Sequence, residues 1–145
     1  SMILKTADSM GYKPVFFGVD GMDGILTMEG FDTSLAEGVM LLTPFSATLE
    51  ENQSFVQAYQ DEFGDTPNQF AADAYDAVYA VYEAMVAGGI TADTTPEEAC
   101  EIMIAEMQKL TIEGLTGTMT WSATGEVSKT PTAVKIENGV YVGME

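Results

Sequence analysis

Two Asp-Gly pairs, Asp20-Gly21 and Asp23-Gly24, close an apolar run in the stretch FFGVDGMDG at residues 16–24. Carboxylates spaced this way beside glycines can do three things. They can turn the chain, because Asp and Gly suit tight turns. They can ligate a hard cation. They can meet a cationic ligand through charge-assisted hydrogen bonds, worth about 1.5–3 kcal/mol each. The cation loop fails on spacing: it needs oxygen ligands at alternate positions and a Glu at its end, where Met22 and Phe31 stand. Turn residue and ligand contact both stay open for Asp20. Asp23 reads as a cap for a short helix through Ile25, Leu26 and Met28.

The remaining residues narrow the chemistry. The chain has no His, no Arg, five Lys and one Cys. Without His, the commonest general base, the commonest metal ligand and every Ser-His or Cys-His pair are gone. No phosphate loop ending in Gly-Lys-Ser/Thr occurs. An enzyme is not expected, and neither a catalytic residue, a metal nor a cofactor is assigned. The net charge of −18 repels nucleic-acid phosphates and anionic lipid. Lacking Arg, this chain has no bidentate clamp for a carboxylate or phosphate. Cys100 has no internal disulfide partner and reads as a small buried apolar residue of a helix.

The elements that must position these groups follow from pattern. The 145 residues, 46% apolar, suffice for a real core. Residues 3–10 read as a helix end, with Gly11 as its stop. Residues 15–19 read as a strand covered on both faces, of the parallel-sheet kind. Helix, loop and buried strand make half of a β-α-β unit, so the chain reads as starting inside that motif. Residues 39–43 form a second strand candidate. Thr48 and Glu51 have capping-box spacing ahead of a helix carrying Phe55, Tyr59 and Phe63, which Gly64 ends. From Pro67 to Gly88 the pattern is helical. Its apolar stripe holds Phe70, Ala74, Tyr75, Val78, Tyr79, Tyr82, Met85 and Val86, with Asp73, Asp76 and Glu83 off it, and reads as core packing. Thr95-Pro96-Glu97-Glu98 is a strong helix start, with Ala99, Ile102, Met103, Met107 and Leu110 behind it as a buried face. Residues 118–121 alternate like a strand, and Asn138-Gly139 joins two strands as a hairpin. The class is α/β.

Taken in order, ILKTADSMGYKPVFFGVDG, AEGVMLLTPF, FVQAYQDEFGDTPNQFAADAYDAVYAVYEAMVAGG, LTGTMTWSATGEVSK and AVKIENGVYV resemble the C-terminal part of a branched-chain amino-acid-type substrate-binding protein of ABC transporters, the periplasmic binding protein type 1 family. The likeness runs over nearly the whole chain. It implies a partial fold of that type: pieces of two α/β lobes joined by hinge crossings near residues 43–47 and 114–117. Residues 3–42 and 116–145 would belong to the second lobe and 45–113 to the first, the N-terminal part of both lying outside the chain. The implied function is that of an extracytoplasmic solute-binding component, in the periplasm or lipid-anchored at the cell surface. It would close by a hinge on a small-molecule amino acid, branched-chain in the usual case, and deliver it to an ABC permease. A sensor or receptor ectodomain of the same fold is the alternative. The resemblance places the ligand's α-ammonium on Asp20, with Gly21 and Met22 of the same loop as further ligand contacts, and its side-chain pocket against Phe70. The family often has Glu where Asp20 stands, so the reach here is one methylene shorter. Unpaired sheet edges imply self-association of the 145-residue piece.

Overall fold

The computed structural model describes residues 1–144. The chain forms two compact units, Ser1–Gln69 with Pro131–Glu145, and Phe70–Thr130.

The first unit contains α1 (Met2–Ser9), β1 (Phe17–Gly18), β2 (Met40–Thr43), α2 (Gln53–Phe63), β6 (Thr132–Glu137) and β7 (Val140–Gly143). The second contains α3 (Gln69–Ala87) from its second residue onward, α4 (Pro96–Met107), β3 (Thr111–Gly114), β4 (Gly117–Trp121) and β5 (Val127–Ser128).

In the first unit the sheet order is β1-β2-β6-β7. β1 pairs with β2 in parallel, Phe17 opposite Met40, so residues 15–19 do lie in a parallel pairing as expected of that strand. β2 pairs with β6, and β6 with β7, antiparallel. The core gathers Leu4, Ile25, Phe31, Ala36, Val39, Leu41, Val134 and Ile136. Full burial of a side chain such as Leu41 or Ile136 stabilises by about 1.5–3 kcal/mol. The hairpin at Asn138-Gly139 forms as expected: both residues have positive φ, 54° and 77°, as a type I′ turn needs.

Two local expectations change here. β1 is an edge strand covered on one face only. Val15, Phe17 and Val19 are exposed, while Phe16 and Gly18 are half-buried, a period of two rather than full cover. The Thr48–Glu51 box does not form. The Thr48 hydroxyl turns to Ser46 Oγ at 2.9 Å, residues 50–52 make one 3₁₀ turn, and α2 starts at Gln53. Asn52 and Gln53 hold that entry instead, donating to the Ser46, Ala47 and Leu49 carbonyls. The aromatic ladder of α2 is as expected, with Phe55–Tyr59 centroids 5.9 Å apart and Tyr59–Phe63 4.6 Å. Gly64 ends it at φ 72°.

In the second unit β3, β4 and β5 form an antiparallel sheet in that order. Residues 114–117 are the tight turn between β3 and β4, Gly114 facing Gly117. The Thr95 capping box of α4 is complete. Its Ala99, Ile102, Met103, Met107 and Leu110 face is half-buried rather than buried, and Cys100 is exposed.

The largest correction concerns α3. Its buried residues are Gln69, Ala72, Asp76, Ala80 and Ala84, a stripe at i, i+3 and i, i+4 spacing. The aromatic and aliphatic residues beside it are exposed, among them Tyr75, Val78, Tyr79, Tyr82 and Val86. Small side chains let the helix approach closely, and Asp76 is tolerated inside because three donors meet it. Leu115 N–H and Thr116 N–H donate to its carboxylate at 2.9 Å each, and the Thr116 hydroxyl at 2.6 Å.

Candidate functional site

The loop after β1 is built from short-range constraints. Residues Asp20–Met22 make one 3₁₀ turn, with Met22 N–H donating to Val19 C=O at 3.0 Å and Asp23 N–H to Asp20 C=O at 2.9 Å. Met22 folds back over Gly18, where a Cβ would run into its Sδ and Cγ. Only glycine lets the strand end lie that close to a side chain. Met22 is half-buried and packs against the core of the first unit. Gly21 is exposed, with open space where a side chain would stand. Gly24 takes φ 84°, a left-handed conformation that turns the chain into the Ile25–Thr27 3₁₀ turn.

Asp23 does not cap that turn from its side chain. One carboxylate oxygen accepts Gly24 N–H at 2.8 Å and the other accepts Gln69 N–H at 2.7 Å. Gln69 is the first residue of α3, whose initial N–H groups have no partner within the helix. The side chain of Gln69 returns to the same loop: its Nε2 donates to Asp20 C=O at 2.6 Å. The Tyr141 hydroxyl is buried beside Asp23 without a well-formed hydrogen bond. Burial, and then the neighbouring Asp23 charge, push its ionisation well above the ordinary tyrosine range.

Asp20 itself is exposed. Its carboxylate has neither a hydrogen bond nor an ion pair among the described residues. It stands just past the C-terminal end of a parallel strand, where open α/β sheets meet ligands. Asp20, Gly21 and Met22 share this loop of the first unit. Phe70 opens the second unit and is 48% exposed. A concave space of about 280 Å³ in the first unit lies on the other residues of this region, lined by Asp23, Leu26, Phe45, Asn68 and Tyr141 among others. Among the described residues no group of three or more Asp, Glu, His or Cys could hold a metal ion, and no helix is long and apolar enough to cross a membrane.

Sequence reasoning missed Gln69, Asp76 and Tyr141. Neither composition nor periodicity marks a buried Gln at a helix start. Asp76 carries one signal, its place in the Ala72–Ala80–Ala84 register.

The sequence profile of the family described as periplasmic binding protein matches residues 2–139. Solved structures agree. The branched-chain amino acid transporter substrate-binding protein LivJ of Streptococcus pneumoniae, in complex with isoleucine, is 25% identical. It superposes with a TM-score of 0.75 over 98% of this chain and 41% of that one. A solute-binding protein of Rhodopseudomonas palustris BisB5, in complex with 3,4-dihydroxybenzoic acid, is 26% identical with a TM-score of 0.76, covering 97% and 40%. The leucine-binding protein LivK of Thermotoga maritima, 21% identical, shares the fold with a TM-score of 0.74 over 99% and 40%. No match is found among curated proteins. The chain spans about two-fifths of the length of these solved relatives, with shares of 41%, 40% and 40%. It carries part of a type 1 periplasmic binding protein fold and belongs to the periplasmic binding protein family.

Proposed function

We propose that the chain is the C-terminal part of an extracytoplasmic solute-binding component of an ABC importer, without enzymatic activity of its own. Its solute is an amino acid, branched-chain by the likeness to the LivJ and LivK structures. The two lobes close on it about a hinge, and the permease reads the closed form.

The observation that carries this reading is Asp20. An exposed carboxylate without a partner, on a loop tied through the Asp20 carbonyl at one end and the Asp23 side chain at the other, is a ready contact for an α-ammonium. Phe70 lines the side-chain pocket in this reading. The groups that would hold the α-carboxylate lie outside the chain, in keeping with its lack of Arg.

The likeness to the 3,4-dihydroxybenzoate complex favours a second reading, an aromatic acid as solute. Such a ligand brings no ammonium, and Asp20 would repel its carboxylate. Calorimetry on the full-length protein separates the two. Leucine, isoleucine or valine should bind, and Asp20→Ala should weaken that binding by roughly 10- to 150-fold, the equivalent of one charge-assisted hydrogen bond. Binding of 3,4-dihydroxybenzoate with no response to any amino acid selects the aromatic-acid reading.

A further inference from the structure

We infer that Gln69 is a positioning residue for the Asp20 carboxylate, so that recognition of an ammonium depends on a side chain that does not itself meet the ligand; this rests on the reading of Asp20 as the ammonium contact. Gln69 is only 1% exposed. Its Nε2 donates to Asp20 C=O, and its backbone N–H donates to the Asp23 carboxylate. A single residue thus grips the first and last positions of the 20–23 turn from 49 and 46 residues away in sequence.

The other half of the Gln69 amide argues against a purely structural role. Oε1 is buried and has no hydrogen-bond partner. A buried acceptor left unsatisfied costs stability, and an apolar residue of the same shape would avoid that cost. The donor that this residue does use is spent on the carbonyl of Asp20. Asp has only two side-chain torsions, so a fixed backbone limits its carboxylate to a few staggered positions. No side-chain hydrogen bond or ion pair steers that carboxylate among the described residues. The clamp by Gln69, together with the 3₁₀ bond from Asp23 N–H, fixes the backbone from which it projects.

Gln69→Met keeps the length of the side chain and removes both the donor and the orphan acceptor. In the full-length protein its melting temperature should stay the same or rise. Leucine affinity should fall roughly 5- to 30-fold, because the ammonium contact is no longer held in register. Affinity for 4-methylpentanoate, which has no ammonium, should not change, and amide exchange at residues 20–23 should quicken. In an Asp20→Ala background, Gln69→Met should have no further effect on leucine binding. Unchanged leucine affinity in Gln69→Met, while Asp20→Ala weakens it, overturns the inference. An equal loss for leucine and 4-methylpentanoate overturns it too, as general loosening of the fold. If Asp20→Ala leaves leucine affinity intact, or the unmodified protein binds no amino acid, the Asp20 reading fails and the positioning role falls with it. Gln69→Leu is the second apolar variant should Met not fold.

Discussion

Asp76 and Thr116 are joined twice: the Thr116 N–H at 2.9 Å and its hydroxyl at 2.6 Å both end on the same carboxylate oxygen. Asp76 is 3% exposed and Thr116 1%. A helix side chain therefore holds the turn of a hairpin about 40 residues away. Asp76→Ala strands the buried N–H and hydroxyl of Thr116 and the half-buried N–H of Leu115, and should lower unfolding free energy by about 3 kcal/mol, measured by urea denaturation. Asp76→Asn keeps an acceptor and should cost less. Gly114→Ala should also destabilise, because its Cβ would stand 2.5 Å from the Asp76 carboxylate. If Asp76→Ala melts like the parent, the turn is held by other means.

Gly18 and Met22 form a second matched pair. Gly18→Ala drives a methyl into Met22 and should cost about 1–3 kcal/mol as overpacking. Met22→Ala leaves a cavity against the core and should cost about 2–5 kcal/mol. The double variant should be more stable than the sum of the two losses implies, since each change relieves the other. Additive losses in a double-mutant cycle would show that the two residues do not compete for space.

The capping box gives α4 a pH dependence. The Thr95 hydroxyl, then the Thr95 N–H, hold the Glu98 carboxyl below its ordinary 4.5. A depressed folded value means the contribution is complete above pH 4.5 and is lost as pH falls through the folded value. Helix signal from α4 should therefore fray in acid before the core melts. In Thr95→Ala that acid-specific step should be absent, as read by amide exchange at Glu97 and Glu98.

Tyr141→Phe tests the buried hydroxyl beside Asp23. Removing a polar atom that has no well-formed partner should leave stability within about 0.5 kcal/mol of the parent, or raise it. The raised ionisation of Tyr141 favours the neutral phenol in the folded state. Its contribution is thus intact below the ordinary value of 10 and declines as pH rises above it. Phe at this position should flatten that alkaline decline. A large loss of stability in Tyr141→Phe would mean that the hydroxyl holds Asp23 in place.

β1 ends the sheet with an unpaired edge and an exposed Phe17 and Val19. The 145-residue chain alone should associate with itself in sedimentation, and Val15→Lys with Phe17→Lys should shift it toward monomer. Unchanged sedimentation of that double variant would assign the association to another surface.

Local rules made several elements legible in sequence. The Thr95 box, the Gly64 stop and the Asn138-Gly139 turn each depend on residues next to one another, and each forms. The apolar run at residues 15–19 marks a strand of the parallel kind, but its pairing with β2 is a finding of the fold alone. The buried side of α3 was not legible, because hydrophobicity tells which face could be covered and not which face is. Tyr79 and Tyr82 lie in the more apolar stripe, yet Ala80 and Asp76 face inward. Asp23 reads in sequence as a local cap, but its second oxygen serves Gln69, a pairing that only the folded chain creates. The position of Asp20 at a strand end was readable from the apolar run before it. That Gln69 holds it was not, since no pattern links the two residues.

The hairpin turn at Asn138-Gly139 also sets how this protein ages. An exposed Asn followed by Gly, with no Cβ to hinder attack by the next backbone nitrogen, is the arrangement most open to loss of side-chain ammonia through a cyclic imide. The product adds a negative charge between Glu137 and Glu37, whose carboxylate accepts Asn138 N–H at 2.9 Å. Its isoaspartyl form also lengthens the backbone inside a turn that has no residue to spare. Stored protein should drift slowly toward lower isoelectric point, and the register of Glu137 with Val140 should be the first pairing to fail.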